Sequence, residues 1–117
     1  MINKFVEWRR DGRILTQTKI FCAKTYWQRM RGLLARATPD SGEALSISPC
    51  SGVHTFFMRY SLDVVYLNRQ GRIVKIVPYL KPWRASQCFG ARTVLEFRAG
   101  EVARIGLQLG DLCVDGC

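Results

Sequence analysis

The sequence predicts a mainly β, α+β domain: a small, partly open barrel or rolled, antiparallel-rich sheet with one amphipathic helix and one short helical turn. Three observations predict it. Stretches rich in β-branched and aromatic residues recur at close spacing, each bounded by Gly, Pro, Asn or Asp. One segment alone, around residues 25–37, carries apolar residues at helical spacing over several turns. The chain has 117 residues, 48% of them hydrophobic, which is enough for one core and too apolar for a disordered segment. No linker or internal repeat interrupts it, so residues 1–117 read as a single domain.

The elements follow in order. Asp11-Gly12 favours a turn with positive φ and separates two strand-like runs, the second being Arg13 to Phe21. Thr25-Tyr26-Trp27-Gln28 fits a capping box, in which the hydroxyl and the amide side chain satisfy first-turn N–H groups. Tyr26, Met30, Leu33, Leu34 and Ala37 then fall on one helical stripe, and Pro39-Asp40-Ser41-Gly42 ends it. A short strand runs from Glu43 to Ser48. Leu62–Leu67 and Arg72–Val77 form a hairpin across Asn68-Arg69-Gln70-Gly71, and both strands are apolar enough on both faces to be central. Pro78 and Pro82 predict a loop. Arg92–Phe97 resumes strand character, Glu101–Ile105 reads as a helical turn stopped by Gly106, and a last strand follows Leu109-Gly110-Asp111.

The chain is basic, with 18 Lys and Arg against 9 Asp and Glu, a formal charge of +9. That balance permits contact with nucleic acid, an acidic surface or an acidic partner, and the scattered cations equally suit a solvated face. No apolar run is long enough to span a membrane. The first ten residues lack the apolar core of a signal peptide, so a cytoplasmic protein is expected. The five cysteines, Cys22, Cys50, Cys88, Cys113 and Cys117, are odd in number and widely spaced. They are expected to be reduced and to hold no metal.

Several segments resemble the DUF192 family. Arg29-Met30-Arg31-Gly32-Leu33-Leu34-Ala35-Arg36 resembles its helix, and Phe56-Phe57-Met58-Arg59 followed by Leu62–Leu67 is similar to its central strand and approach. Gly71-Arg72-Ile73-Val74 resembles the return strand. Val94-Leu95-Glu96, Ala99-Gly100, Ile105-Gly106 and Gly110-Asp111 resemble the closing segment. The resemblance spans roughly residues 14–115 in collinear order and implies a small β-rich domain without an assigned biochemical activity. Phe57 stands where the family usually has Trp, and the link from Arg59 to Leu62 is short and lacks the family's Pro.

The densest polar cluster is Cys50, His54, Met58, Arg59 and Asp63. Cys50 and His54 suggest a nucleophile and base, or two ligands of a zinc site that needs two more. Asp63 lies in an apolar strand and needs a partner, for which Arg59 and Arg84 are the natural choices. Pro78–Arg84 sets Trp83 beside cations, a pairing suited to stacking and anion binding. If Leu62 and Val77 meet at the open end of the hairpin, then Asp63 lies near Pro78. His54–Arg59 then comes within reach of Trp83 and Arg84. The expected function is a non-enzymatic binding or accessory domain using His54, Met58, Arg59, Asp63, Trp83 and Arg84, without a cofactor. Its ligand would be a small anion or a protein segment. Nucleic-acid binding through the basic surface, and a hydrolase or metal enzyme using Cys50, His54 and Asp63, are the alternatives.

Overall fold

The computed structural model describes residues 2–23 and 39–116. The amphipathic helix expected at residues 25–37 lies outside the described residues. Nine strands and one short helix are formed among the rest: β1 Ile2–Arg10, β2 Arg13–Ala23, β3 Glu43–Ile47, β4 Gly52–His54, β5 Leu62–Leu67, β6 Ile73–Leu80, β7 Ala85–Gln87, β8 Thr93–Arg98, α1 Glu101–Ile105 and β9 Leu112–Val114. Seven strands make one sheet in the order β6-β5-β8-β3-β2-β1-β9, and β4 pairs with β7 in a second, two-stranded sheet. All these pairings are antiparallel except that of β2 with β3. A parallel pair needs a crossover, and it runs between Ala23 and Glu43.

The large sheet rolls until its two edges touch without closing a ladder. Arg72 and Leu112 form an isolated bridge between the start of β6 and the start of β9. The Ile73 N–H donates to the Asp111 carbonyl at 2.9 Å and the Cys113 N–H to the Gly71 carbonyl at 2.8 Å. Gly71 permits this approach: its φ is +85°, and a Cβ there would lie 2.7 Å from the Cys113 carbonyl oxygen.

Turn chemistry sets the first hairpin. Asp11 and Gly12 have φ of 51° and 77°, and a two-residue turn with both φ positive matches the twist of β1 and β2. β5 is buried along its whole length. Its alternate residues serve two cores. Val65 and Leu67 join Trp8, Ile20, Leu95 and Phe97. Leu62, Val64 and Tyr66 join Leu45, Val53, Met58 and Leu80 under the small sheet. Tyr66 ties the layers together, donating its hydroxyl to Ser86 Oγ at 2.9 Å, and burial pushes its pKa up.

Two expectations about the second hairpin are corrected. β6 is not central but an edge strand, half-exposed along much of its length. The segment from Pro78 is not all loop, because β6 continues to Leu80. An edge strand tolerates a residue without an N–H, and the register changes at that point: Val64 pairs with Val77, whereas Leu62 pairs with Leu80. The extra residue is a β-bulge, with Tyr79 at φ 52°.

The cysteine expectation is corrected at one position. Cys22, buried near the end of β2, is disulfide-bonded. Cys50, Cys88 and Cys113 are free thiols. Wide spacing along the chain says nothing about proximity in the fold, which is what permits a bond.

Two buried carboxylates pin the loops at one end of the roll. Arg10 donates to both oxygens of Asp111, at 2.7 and 2.8 Å, and to the Gly106 carbonyl at 2.8 Å. Glu101 accepts two bonds from Arg104, both 2.7 Å, and one from the Gly42 N–H at 2.6 Å. These arginines hold both carboxyls below their ordinary pKa values of 3.8 and 4.5. A lowered folded-state pKa contributes stability that is present above the unfolded value and lost as pH falls through the folded one. Urea midpoints are therefore expected to fall progressively below about pH 4.5, and Asp111→Asn to flatten that decline. A decline of equal slope in Asp111→Asn would exclude Asp111 as a source.

Candidate functional site

The two loops expected to meet do meet. His54 and Ala85 are register partners in the β4–β7 sheet, which places the segment after β4 against the segment before β7. Thr55, fully buried, clamps them. Its N–H donates to the Arg84 carbonyl at 2.8 Å, and its carbonyl accepts from the N–H groups of Trp83 at 3.0 Å and Met58 at 3.2 Å. Its hydroxyl donates to the Lys81 carbonyl at 2.5 Å and accepts from the Arg84 N–H at 3.0 Å. Thr55 carries no sequence signature of this role. The partners of its hydroxyl are main-chain atoms 26 and 29 residues away, which no local pattern reports.

The clamp presents a row of aromatic rings. His54 stacks on Phe56 with centroids 4.5 Å apart and planes 25° apart. Phe56 lies 5.8 Å from Trp83 at 23°, and Phe57 lies 4.7 Å from Trp83 on a tilted plane. Phe57 is 67% and Trp83 55% exposed. Rings so exposed gain little from burial in the chain itself, and together they form an apolar patch open to solvent.

The backbone beneath the rings is strained. Phe57 has φ 67° and Trp83 φ 62°, in the left-handed region that bulky side chains avoid. Each position costs on the order of 1 kcal/mol. The Thr55 clamp fixes the turns that impose this conformation, and the strain places both rings outward.

The remaining expected site residues divide. Arg59 and Arg84 are exposed, on the same two loops as the rings, and Lys81, two residues before Trp83, is exposed. Met58 is not at the surface: it is 4% exposed and packs in the core cluster under the small sheet. Asp63 is 1% exposed, and the expected arginine is not its partner. Its Oδ1 accepts from the Tyr79 N–H at 2.9 Å, and its Oδ2 accepts from the N–H groups of Gly100 and Val102, each at 3.0 Å. The carboxylate thus binds the β6 bulge and the first turn of α1, whose amides have no partner within so short a helix. Met58 and Asp63 are thus both buried, Met58 in the core and Asp63 on main-chain amides.

Cys50 is half-buried and engaged with its own turn. Its Sγ donates to the Gly52 carbonyl at 3.0 Å. His54 Nδ1 accepts from the Phe56 N–H at 3.3 Å, which leaves that nitrogen engaged within its own turn. Among the described residues no three His, Cys, Asp or Glu side chains cluster around a metal-sized space.

Comparison with known proteins supplies a family. The DUF192 profile, described as an uncharacterized ACR, matches residues 6–114. A UPF0127 protein of Thermococcus sibiricus (strain DSM 12597 / MM 739) is 30% identical over 110 residues, covering 88% of this chain and 69% of that protein. Two crystal structures share the fold. One, from Sinorhizobium meliloti 1021 and described as "a putative transcription regulator", has a TM-score of 0.83 at 21% identity, covering 96% of this chain and 92% of the other. The second, a protein of unknown function from Novosphingobium aromaticivorans DSM 12444, has a TM-score of 0.79 at 19% identity, covering 95% and 84%. At these identities the structures speak for the fold alone.

Proposed function

The chain belongs to the DUF192 family, and from that premise and the geometry of its two clamped loops we propose that it is a non-enzymatic binding domain. Its contact surface is the ring row His54, Phe56, Trp83 and Phe57, flanked by Arg59, Lys81 and Arg84. The ligand class is an anion with a flat apolar part, either a small molecule or an acidic, aromatic segment of a protein. The observation that carries this reading is the coincidence of exposure and strain at Phe57 and Trp83. Strain held at an exposed aromatic pair has no benefit for folding, and such positions cluster at binding sites. The rings supply stacking area, and the arginines and Lys81 supply charge.

Anilinonaphthalene sulfonate, an anionic aromatic fluorophore, is the test probe. Saturable binding is expected, weakened about tenfold or more by Trp83→Ala and several-fold by Arg84→Ala. Unchanged affinity in Trp83→Ala would remove the proposal. Rings beside cations also stack on nucleic-acid bases, so a single-stranded oligothymidylate is titrated in parallel at two salt concentrations. Tighter binding of the oligonucleotide, with a steep salt dependence, would favour that partner over the small anion.

A further inference from the structure

The far end of the roll holds a second feature, unrelated to the aromatic rings. The ring-bearing loops precede β5 and follow β6. A cavity of about 210 Å³ instead lies where β5 ends, β8 begins and β9 crosses. Its lining combines three kinds of group. Leu67, Leu95 and Cys113 are buried members of the main core and form an apolar floor. Arg69 and Arg92 are exposed and stand at the rim, and neither guanidinium is paired with a carboxylate among the described residues. Ser46, on β3, also lines the cavity, is 1% exposed and has no hydrogen-bond partner for its hydroxyl among the described residues.

Each group restricts what the cavity takes. A buried hydroxyl without a partner is costly, and one that lines a cavity is satisfied by whatever enters. The Cys113 thiol, pushed up to about 12 by burial, stays protonated at neutral pH. It is therefore wall and not nucleophile. Two unpaired guanidiniums at an open rim favour a planar anion, which each can bind through two N–H groups. The apolar floor favours a hydrocarbon body over a bare inorganic ion. The volume limits the ligand to a handful of heavy atoms.

We propose that this cavity binds a short aliphatic carboxylate carrying a second polar group at its far end. The carboxylate meets Arg69 and Arg92, the chain lies on Leu67 and Leu95, and the far polar group bonds the Ser46 hydroxyl.

Three probes test this on the full chain by titration, with the methyl resonances of Leu67 and Leu95 as the reporter: levulinate, pentanoate and inorganic phosphate. Levulinate has a ketone oxygen where pentanoate has only hydrocarbon. Levulinate is expected to bind roughly two- to tenfold more tightly than pentanoate, the worth of one net hydrogen bond, and phosphate more weakly than both. Ser46→Ala should abolish the preference for levulinate while leaving pentanoate affinity unchanged. That variant deletes a hydroxyl with no partner, so the fold persists. Arg69→Ala with Arg92→Ala should weaken both carboxylates about tenfold or more. Trp83→Ala should change none of these affinities, which separates this site from the ring surface. Phosphate binding as tightly as the carboxylates, a levulinate preference that survives Ser46→Ala, or methyl resonances that do not move would each overturn the assignment.

Discussion

Asp63→Ala is expected to destabilise the protein by about 3–5 kcal/mol, more than any single surface change and nearly half the stability of an average domain. The reason is the number of groups left without a partner. Three backbone N–H groups, those of Tyr79, Gly100 and Val102, converge on this one carboxylate within 3.0 Å. Asp63 is buried, so water cannot replace it without rearrangement. Each stranded amide costs roughly 1–3 kcal/mol, and partial relaxation of the short helix keeps the total below the simple sum. For a chain of this size the melting temperature falls by about 10–20 °C. Asp63→Asn keeps the shape and one acceptor but turns an NH₂ group towards a donor, so it should cost about 2 kcal/mol or more. Arg84→Ala should stay within about 0.5 kcal/mol, because the side chain is exposed. The comparison is read from denaturant midpoints. Equal midpoints for Asp63→Ala and Arg84→Ala would show that the carboxylate does not hold the bulge and the helix start.

Asp63 also marks where the sequence stopped being legible. A carboxylate in an apolar strand signals a buried acid that needs a partner, and that much was readable. The partner it suggests is a charged residue, because a sequence displays side chains and hides unpaired main-chain amides. Those amides exist only because β6 bulges after Val77 and α1 begins at Glu101. The bulge was hidden by Pro78, read as the end of a strand when it occupies an edge where no N–H is needed. By contrast, the turn at Asp11-Gly12 and the return through Asn68–Gly71 were legible, since turn chemistry is local. Asn68 Oδ1 accepts from the Gln70 and Arg72 N–H groups and shapes that turn from within. Strand pairing then brought His54–Arg59 to Trp83 without any contact being known. Met58 lies in the core and not on the expected surface, because neighbours in sequence need not be neighbours on a surface. The tight turn from Thr55 sends Phe56 and Phe57 out and Met58 in.

Glycine at the two strained positions separates the needs of the fold from those of the ring surface. Phe57→Gly and Trp83→Gly remove the left-handed strain, worth about 1 kcal/mol each, and add backbone freedom to the unfolded chain, which costs about 0.5–1 kcal/mol. The two effects nearly cancel, so each glycine variant is expected within about 1 kcal/mol of the parent. The matching alanine variants lose the same ring contacts but keep a Cβ at φ 67° and 62°, and so retain the strain. Each alanine variant should therefore be less stable than its glycine counterpart by up to about 0.5 kcal/mol, a reversal of the usual order of these two residues. Binding of anilinonaphthalene sulfonate should fall about tenfold or more in all four, because the rings at 4.7 Å form one surface and removing either leaves the other without its neighbour. A protein that grows no less stable while losing its ligand was carrying strain for the ligand's sake. If both variants at a position instead fall more than about 2 kcal/mol below the parent, the rings are packing for the fold. The exposed row would then be an edge of the core and not a site.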